Sequence, residues 1–296
     1  MKMQVIMPGL LTTVQDAGRF GYLASGITTS GVMDDNAYQS ANAMLSNPQD
    51  AAVLEATYFG PTILFDGVPE EQTVIAVTGA DMNPCIDGRP VDCSHPILVH
   101  GGQTLSLDFA RSGCRAYIAV SGGIDVPLVM GSRSTNLKCS IGGYHGRALK
   151  AGDELALFAS ELSYETVCDR IYDRPDYKQT FTLHVVMGPQ DDYFTPEGIH
   201  TFLNGTYQVT DASDRMGSRL SGPAIASVQG TDIVSDAIVA GAIQIPSNGQ
   251  PIILLKDRQT TGGYAKIATV VSTDLWKLAQ AKPNDQVRFE AVKIKE

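Results

Sequence analysis

The residues Lys256-Asp257-Arg258-Gln259-Thr260-Thr261-Gly262-Gly263-Tyr264 bring a charged pair, an amide, two hydroxyls and two glycines to the end of an apolar run, Pro251–Leu255. The apolar run reads as a short buried strand. Polar groups that leave such a strand in a turn can hold a ligand carboxylate, amide or phosphate. Glycines there let the backbone approach closely and expose its N–H groups. The same spelling also suits a plain hairpin turn, in which Asp257 pairs with Arg258 and the threonines bond backbone groups. Local spacing leaves both readings open.

Similar turns recur. The first half offers Gln15, Asp16, Arg19, Ser30, Asp34 and Glu55, and then Gly131-Ser132-Arg133-Ser134-Thr135-Asn136 after the apolar Val126–Met130. The second half offers Gln190, Asp191, Ser213, Asp214, Arg215, Arg219 and Asp236. Arginines can clamp a carboxylate or phosphate bidentately, and Asp or Glu can act as a general base. The competing reading is structural: Asp34 and Ser213 as caps, Glu55 and Asp236 as ion-pair partners. Gly142-Gly143-Tyr144-His145-Gly146-Arg147 could cradle a phosphate, although a hairpin turn is the simpler explanation.

Several chemistries have no support. There is no G-x-S-x-G elbow, no Walker A loop and no G-x-G-x-x-G between a strand and a helix. The five cysteines are scattered and never spaced C-x-x-C, which argues against a disulfide framework and a thiolate zinc site. His95 and His100 lack a completing ligand pair, so no metal site is expected. A net charge of −10 disfavours nucleic acid and anionic membrane partners. No apolar run approaches the roughly 18 residues that span a bilayer, and Met1–Gly9 lacks a signal-peptide core, so a cytoplasmic location is expected.

The elements that must position these groups are mostly short strands. Thr62–Phe65, Thr73–Val77, Ala116–Val120, Leu183–Met187 and Thr269–Ser272 are apolar or alternating runs between Gly, Pro and Asp punctuation. With 29 Gly and 15 Pro, the chain reads as a mainly β protein of barrels or sandwiches. Helices are predicted over Asp34–Leu45 and Asp274–Lys282. The halves also echo one another: Ser30-Gly31-Val32-Met33 answers Ser213-Asp214-Arg215-Met216, and Leu54–Gly60 answers Ser235–Gly241. A duplication of β-rich domains is expected, the first over residues 1–165 and the second over 178–296, with the ligand in a cleft between them.

Gly9–Tyr22, Ser30–Asp34, Ala119–Pro127, Gly131–Thr135, Ser213–Gly217 and Asp257–Tyr264 together resemble the biotin-dependent carboxyltransferase family, also called allophanate hydrolase subunit 2. The likeness runs from about Met7 to Phe289. It implies two tandem cyclophilin-like β-barrel domains with a few short helices. It also implies a companion subunit of the allophanate hydrolase subunit 1 type, for which this chain has no room. Among family activities, a free-standing subunit is most like the C component of ATP-dependent 5-oxoprolinase, which works with subunits A and B. The alternatives are a biotin-dependent carboxyltransferase component acting on urea or a similar small amide, and a regulatory protein that binds a kinase inhibitor. Under the first reading ATP is bound, jointly with a partner, and no biotin is attached to this chain. Asp34, Asp257, Arg258 and Gln259 become the expected catalytic residues. The expected substrate-binding residues are Gln15, Arg19, Ser30, Glu55, Arg133, Ser134, Gln190, Asp214, Arg219, Thr260, Thr261, Gly262 and Tyr264.

Overall fold

In a computed structural model, which describes residues 1–293, strands dominate and helices are few and short. The chain forms two compact units. The first comprises Met1–Phe20 and Ser30–Asp176; the second comprises Gly21–Thr29 and the chain from Tyr177 onward. The short segment Gly21–Thr29 therefore belongs with the later part of the sequence. Its Thr29 hydroxyl donates to the Lys256 carbonyl at 3.2 Å.

The first unit contains a seven-stranded and a five-stranded sheet. Met3, Val5, Ile63, Phe65 and Leu105 from the larger sheet meet Val14, Leu54, Ala56, Ile75 and Ile118 from the smaller one in a single buried cluster. The strand Ser112–Val120 carries the logic of the smaller sheet. Nearly all of its residues are buried, because both faces are covered. Ala116, Ile118 and Val120 face the sheet-to-sheet core. Tyr117 and Ala119 face a second cluster, built on helix α1 (Asp35–Met44), which contributes Ala37, Tyr38, Ala41 and Met44. That period of two also puts Glu55 on the helix side, directly opposite Tyr117 in the ladder.

The second unit is a closed barrel. Around its wall run Thr180–Met187, Lys266–Val270, Ala242–Gln244, Ile252–Leu254, Gly217–Ser221, Tyr207–Val209 and Gln286–Ala291. A parallel pairing of the first and last strands closes it. Helix α2 (Pro196–Asn204) has Thr195 as N-cap and a proline in its first turn, and its Phe202 stacks on Phe289 at 4.4 Å. A separate two-stranded ribbon pairs Asp232–Ala237 with Thr261–Tyr264. Beneath it lies a small apolar cluster of Ile238, Ala242 and Leu254, with Ile252 packed alongside. Residues 294–296, the end of the expected second domain, lie outside the described residues.

The predicted helices are present as α1 and α3 (Leu275–Gln280), whereas α2 was not expected. The proposed internal correspondences fail. Ser30–Met33 leads into a helix, while Ser213–Met216 is the turn between two antiparallel barrel strands. Glu55 is buried mid-sheet, and Asp236 stands on the exposed ribbon. Short runs of small residues specify a turn but not the element that comes after it.

Candidate functional site

The chemistry-bearing residues collect in separate groups, one set in each unit. In the first unit the organising group is Asp16, buried just after the strand Leu11–Gln15. Its Oδ1 accepts the Ser132 hydroxyl at 2.7 Å, the Gly18 N–H at 2.9 Å and the Ser134 hydroxyl in a shorter contact. Its Oδ2 accepts the Arg133 N–H, and its own N–H donates to Ser134 Oγ at 3.0 Å. One carboxylate thus ties residues 132–134 to the end of the strand. Arg19, fully buried, donates to the carbonyls of Val129 and Ser134, each at 2.9 Å. Arg133 donates through Nε to the Val126 carbonyl and lies over the Phe158 ring at 5.1 Å.

Beside this knot stands the turn Ser30–Asp34. Ser30 and Gly31 both have positive φ, and a Cβ on Gly31 would come within 2.9 Å of the Ala17 carbonyl oxygen. The turn is held from below by the cross-strand pair. Glu55 Oε2 accepts the Met33 N–H at 2.7 Å and the Tyr117 hydroxyl at 2.9 Å, and that hydroxyl accepts the Asp34 N–H at 2.8 Å. Burial, followed by the charges of Glu55 and Asp34, holds the Tyr117 phenol well above its ordinary value. Asp34 caps α1, its Oδ1 accepting the Ala37 N–H at 3.0 Å. Ser30 Oγ and Gln15 Oε1 in this region are buried and have no hydrogen-bond partner among the described residues.

In the second unit the turn after Ile252–Leu254 carries a different kind of group. Asp257 is buried against Arg215, with Nε to Oδ2 at 2.8 Å and Nη2 to Oδ1 at 3.4 Å. Asp257 and Arg258 do not pair within the turn; Asp257 reaches a more distant arginine. Arg258 is only 4% exposed and its hydrogen bonds go to carbonyls, Ile238 at 3.3 Å and Leu255 at 3.2 Å. Burial depresses its pKa, and no carboxylate among the described residues offsets that cost. A desolvated cation facing only neutral dipoles is primed for an anionic ligand. Nearby, buried Lys266 bonds Asp236 of the ribbon at 2.9 Å, and this hydrogen bond holds the Asp236 carboxyl below its ordinary value.

The remaining expected residues fall into place around these. Gln190 accepts the Lys266 N–H and is a structural tie. The Thr260 carbonyl accepts the Ile238 N–H, and Thr261, Gly262 and Tyr264 form a ribbon strand. Asp214, Arg219, Gln259 and Tyr264 line one cavity of about 460 Å³ on the barrel wall. Gln244, Tyr117 and Lys266 escaped the sequence reading. A lone amide in Ala242–Ile245 and a lone lysine between Ala265 and Ile267 were the available signals, since such groups are seldom buried without a task. Among the described residues no cluster of His, Cys, Asp and Glu suits a metal ion, and no helix is long and apolar enough to cross a membrane.

A mainly β chain with these polar turns belongs to a known class. Residues 25–291 match the family model described as carboxyltransferase domain, subdomain A and B, and the chain is a member of that family. It is 35% identical over 297 residues to the C component of 5-oxoprolinase from Escherichia coli, covering 99% of this chain and 92% of the relative. To urea amidolyase of Lachancea kluyveri it is 34% identical over 308 residues, covering 97% of this chain but 17% of that protein. Among solved structures, urea amidolyase of K. lactis superposes with a TM-score of 0.88 at 32% identity, over 99% of this chain and 19% of the other.

Proposed function

We propose that this chain is the C component of an ATP-dependent 5-oxoprolinase, opening 5-oxo-L-proline to L-glutamate with subunits A and B. The observation that carries the reading is extent: the E. coli relative is matched along 92% of its own length, so the two chains are close to coextensive. The B component is a companion of the allophanate hydrolase subunit 1 type. Opening an unstrained lactam is uphill near neutrality, which explains a need for ATP. In the proposed route ATP phosphorylates the amide oxygen, and water attacks the activated carbon. The C–N bond then breaks, the ring nitrogen takes up a proton, and a second water hydrolyses the resulting acyl phosphate, so that glutamate, phosphate and ADP are the products. ATP is bound together with a partner subunit. Arg258, buried among carbonyls, is the group of this chain best suited to hold a phosphate or carboxylate. Asp257, already engaged by Arg215, sets the shape of the turn that presents it.

Reconstitution tests this. The three components together are expected to release glutamate and phosphate from 5-oxoproline and ATP, and omission of this chain is expected to stop both. An unchanged rate on omission defeats the proposal. A second reading, biotin-dependent carboxyl transfer to urea or a similar small amide, is favoured by the 34% identity to a urea amidolyase. It requires ATP-independent transfer of the carboxyl group from carboxybiotin to the nitrogen of urea or a similar amide, leaving free biotin, in the presence of this chain and its companion.

A further inference from the structure

The barrel wall of the second unit carries a cavity whose polar groups divide into spent and unspent. The Gln250 carboxamide is closed on the N–H and carbonyl of Gly222, whereas Asp214 is engaged only through Oδ1, which accepts the N–H groups of Met216 and Gly217, and its Oδ2 accepts no hydrogen bond among the described residues. Arg219, Gln244 and Gln259 keep unused capacity of the kind an anionic amide would engage. Arg219 uses its backbone N–H on Ser213, while its exposed guanidinium has no ion-pair or hydrogen-bond partner among the described residues. Gln244 spends its Nε2 on the Tyr264 carbonyl at 3.2 Å, and its Oε1 receives no donor among the described residues. The Gln259 carboxamide likewise has no partner among them.

The fold sets the spacing. Arg219 and Gln244 both lie opposite Ile252 in the barrel ladder, so the three side chains share one row on the outer face. Ile252 and Leu254 form an apolar floor in that row and the next, and Gly217 adds no side chain to it. The volume, about 460 Å³, lies within the roughly 300–1,000 Å³ usual for small-molecule sites.

We infer that this cavity binds a small carboxylate-bearing amide, with Arg219 on the carboxylate, Gln244 Oε1 on the amide N–H and Gln259 on the amide carbonyl. A cation, an acceptor and a carboxamide are complementary to an anion, a donor and a carbonyl, and the floor accommodates methylene groups. The choice of 5-oxoproline as probe rests on the proposed function; the chemistry of the pocket does not.

Calorimetry or protein NMR on the full chain decides it. Saturable binding of 5-oxoproline is expected, weaker by about tenfold for proline, which lacks the amide, and for 2-pyrrolidinone, which lacks the carboxylate. Arg219→Ala should weaken 5-oxoproline by about tenfold, with Arg219→Lys in between. If Arg219→Ala melts early, Gln259→Ala, which removes no structural bond, carries the test. Absence of binding by the wild-type chain, or equal binding by the variants, overturns the inference. Intact binding beside a three-component assay indifferent to this chain would remove the subunit reading and leave the pocket. A working assay with no binding by this chain would do the reverse.

Discussion

Arg258 is the residue on which the two readings of its turn part. As a hairpin residue it would pair with its neighbour Asp257; instead Asp257 is taken by Arg215, and Arg258 is left among carbonyls. Arg258→Ala is therefore expected to lower turnover of the reconstituted enzyme by at least about tenfold while changing stability little, because an uncompensated buried cation is removed. Steady-state kinetics beside a denaturant melt would check both halves. Tyr117 makes the opposite case. Tyr117→Phe removes the hydroxyl between Glu55 and the Asp34 N–H, leaving both buried without that partner. The expected cost is about 1–3 kcal/mol in urea unfolding. No change in midpoint would mean that the relay contributes nothing.

At the level of elements, helix α1 and the start of α3 are held by carboxylates whose removal reads out differently. Asp34→Ala deletes the N-cap of α1 and should cost about 1 kcal/mol, whereas Asp34→Asn keeps a good cap and should be nearly neutral. If Asp34→Asn keeps stability but loses turnover, the carboxylate handles protons as well as capping. Asp274 ties α3 to the first barrel strand. It accepts the His184 N–H and ring Nδ1, each at 2.8 Å, and pairs with Lys277 at 2.8 Å. Burial alone would raise its pKa, but these partners outweigh it and hold the carboxyl below its ordinary 3.8. A carboxylate with a depressed folded value stabilises above that ordinary value and loses its contribution as pH falls below it. The melting temperature of the wild type should therefore fall more steeply below about pH 4 than that of Asp274→Asn. Parallel curves would dispose of the claim. The strands themselves were easy to read where apolar alternation was long, as in Thr73–Val77 within the strand Gln72–Asp81. Helix α2 was missed despite Thr195 and Pro196, because the capping signal precedes only a short amphipathic stretch.

Over the whole molecule, the sequence determined the local behaviour of each segment. Alternation sets the face that Glu55 and Tyr117 take on their strands, and Asp34 with Asn47-Pro48 brackets a helix. The residue types of the turns, and the family they resemble, were also legible in the string. Tertiary structure decided which groups are spent. Asp16 belongs to residues 132–134, Asp257 to Arg215 and Lys266 to Asp236, pairings that join positions far apart in the chain. No local spacing encodes them, because they depend on which strands become neighbours in the sheet and the barrel wall. The same closure brought Arg219 and Gln244 to either side of Ile252 and left Arg258 desolvated among carbonyls. Hydrogen-bonding capacity is a property of residue type, but whether it remains available for a ligand depends on the neighbours that folding supplies.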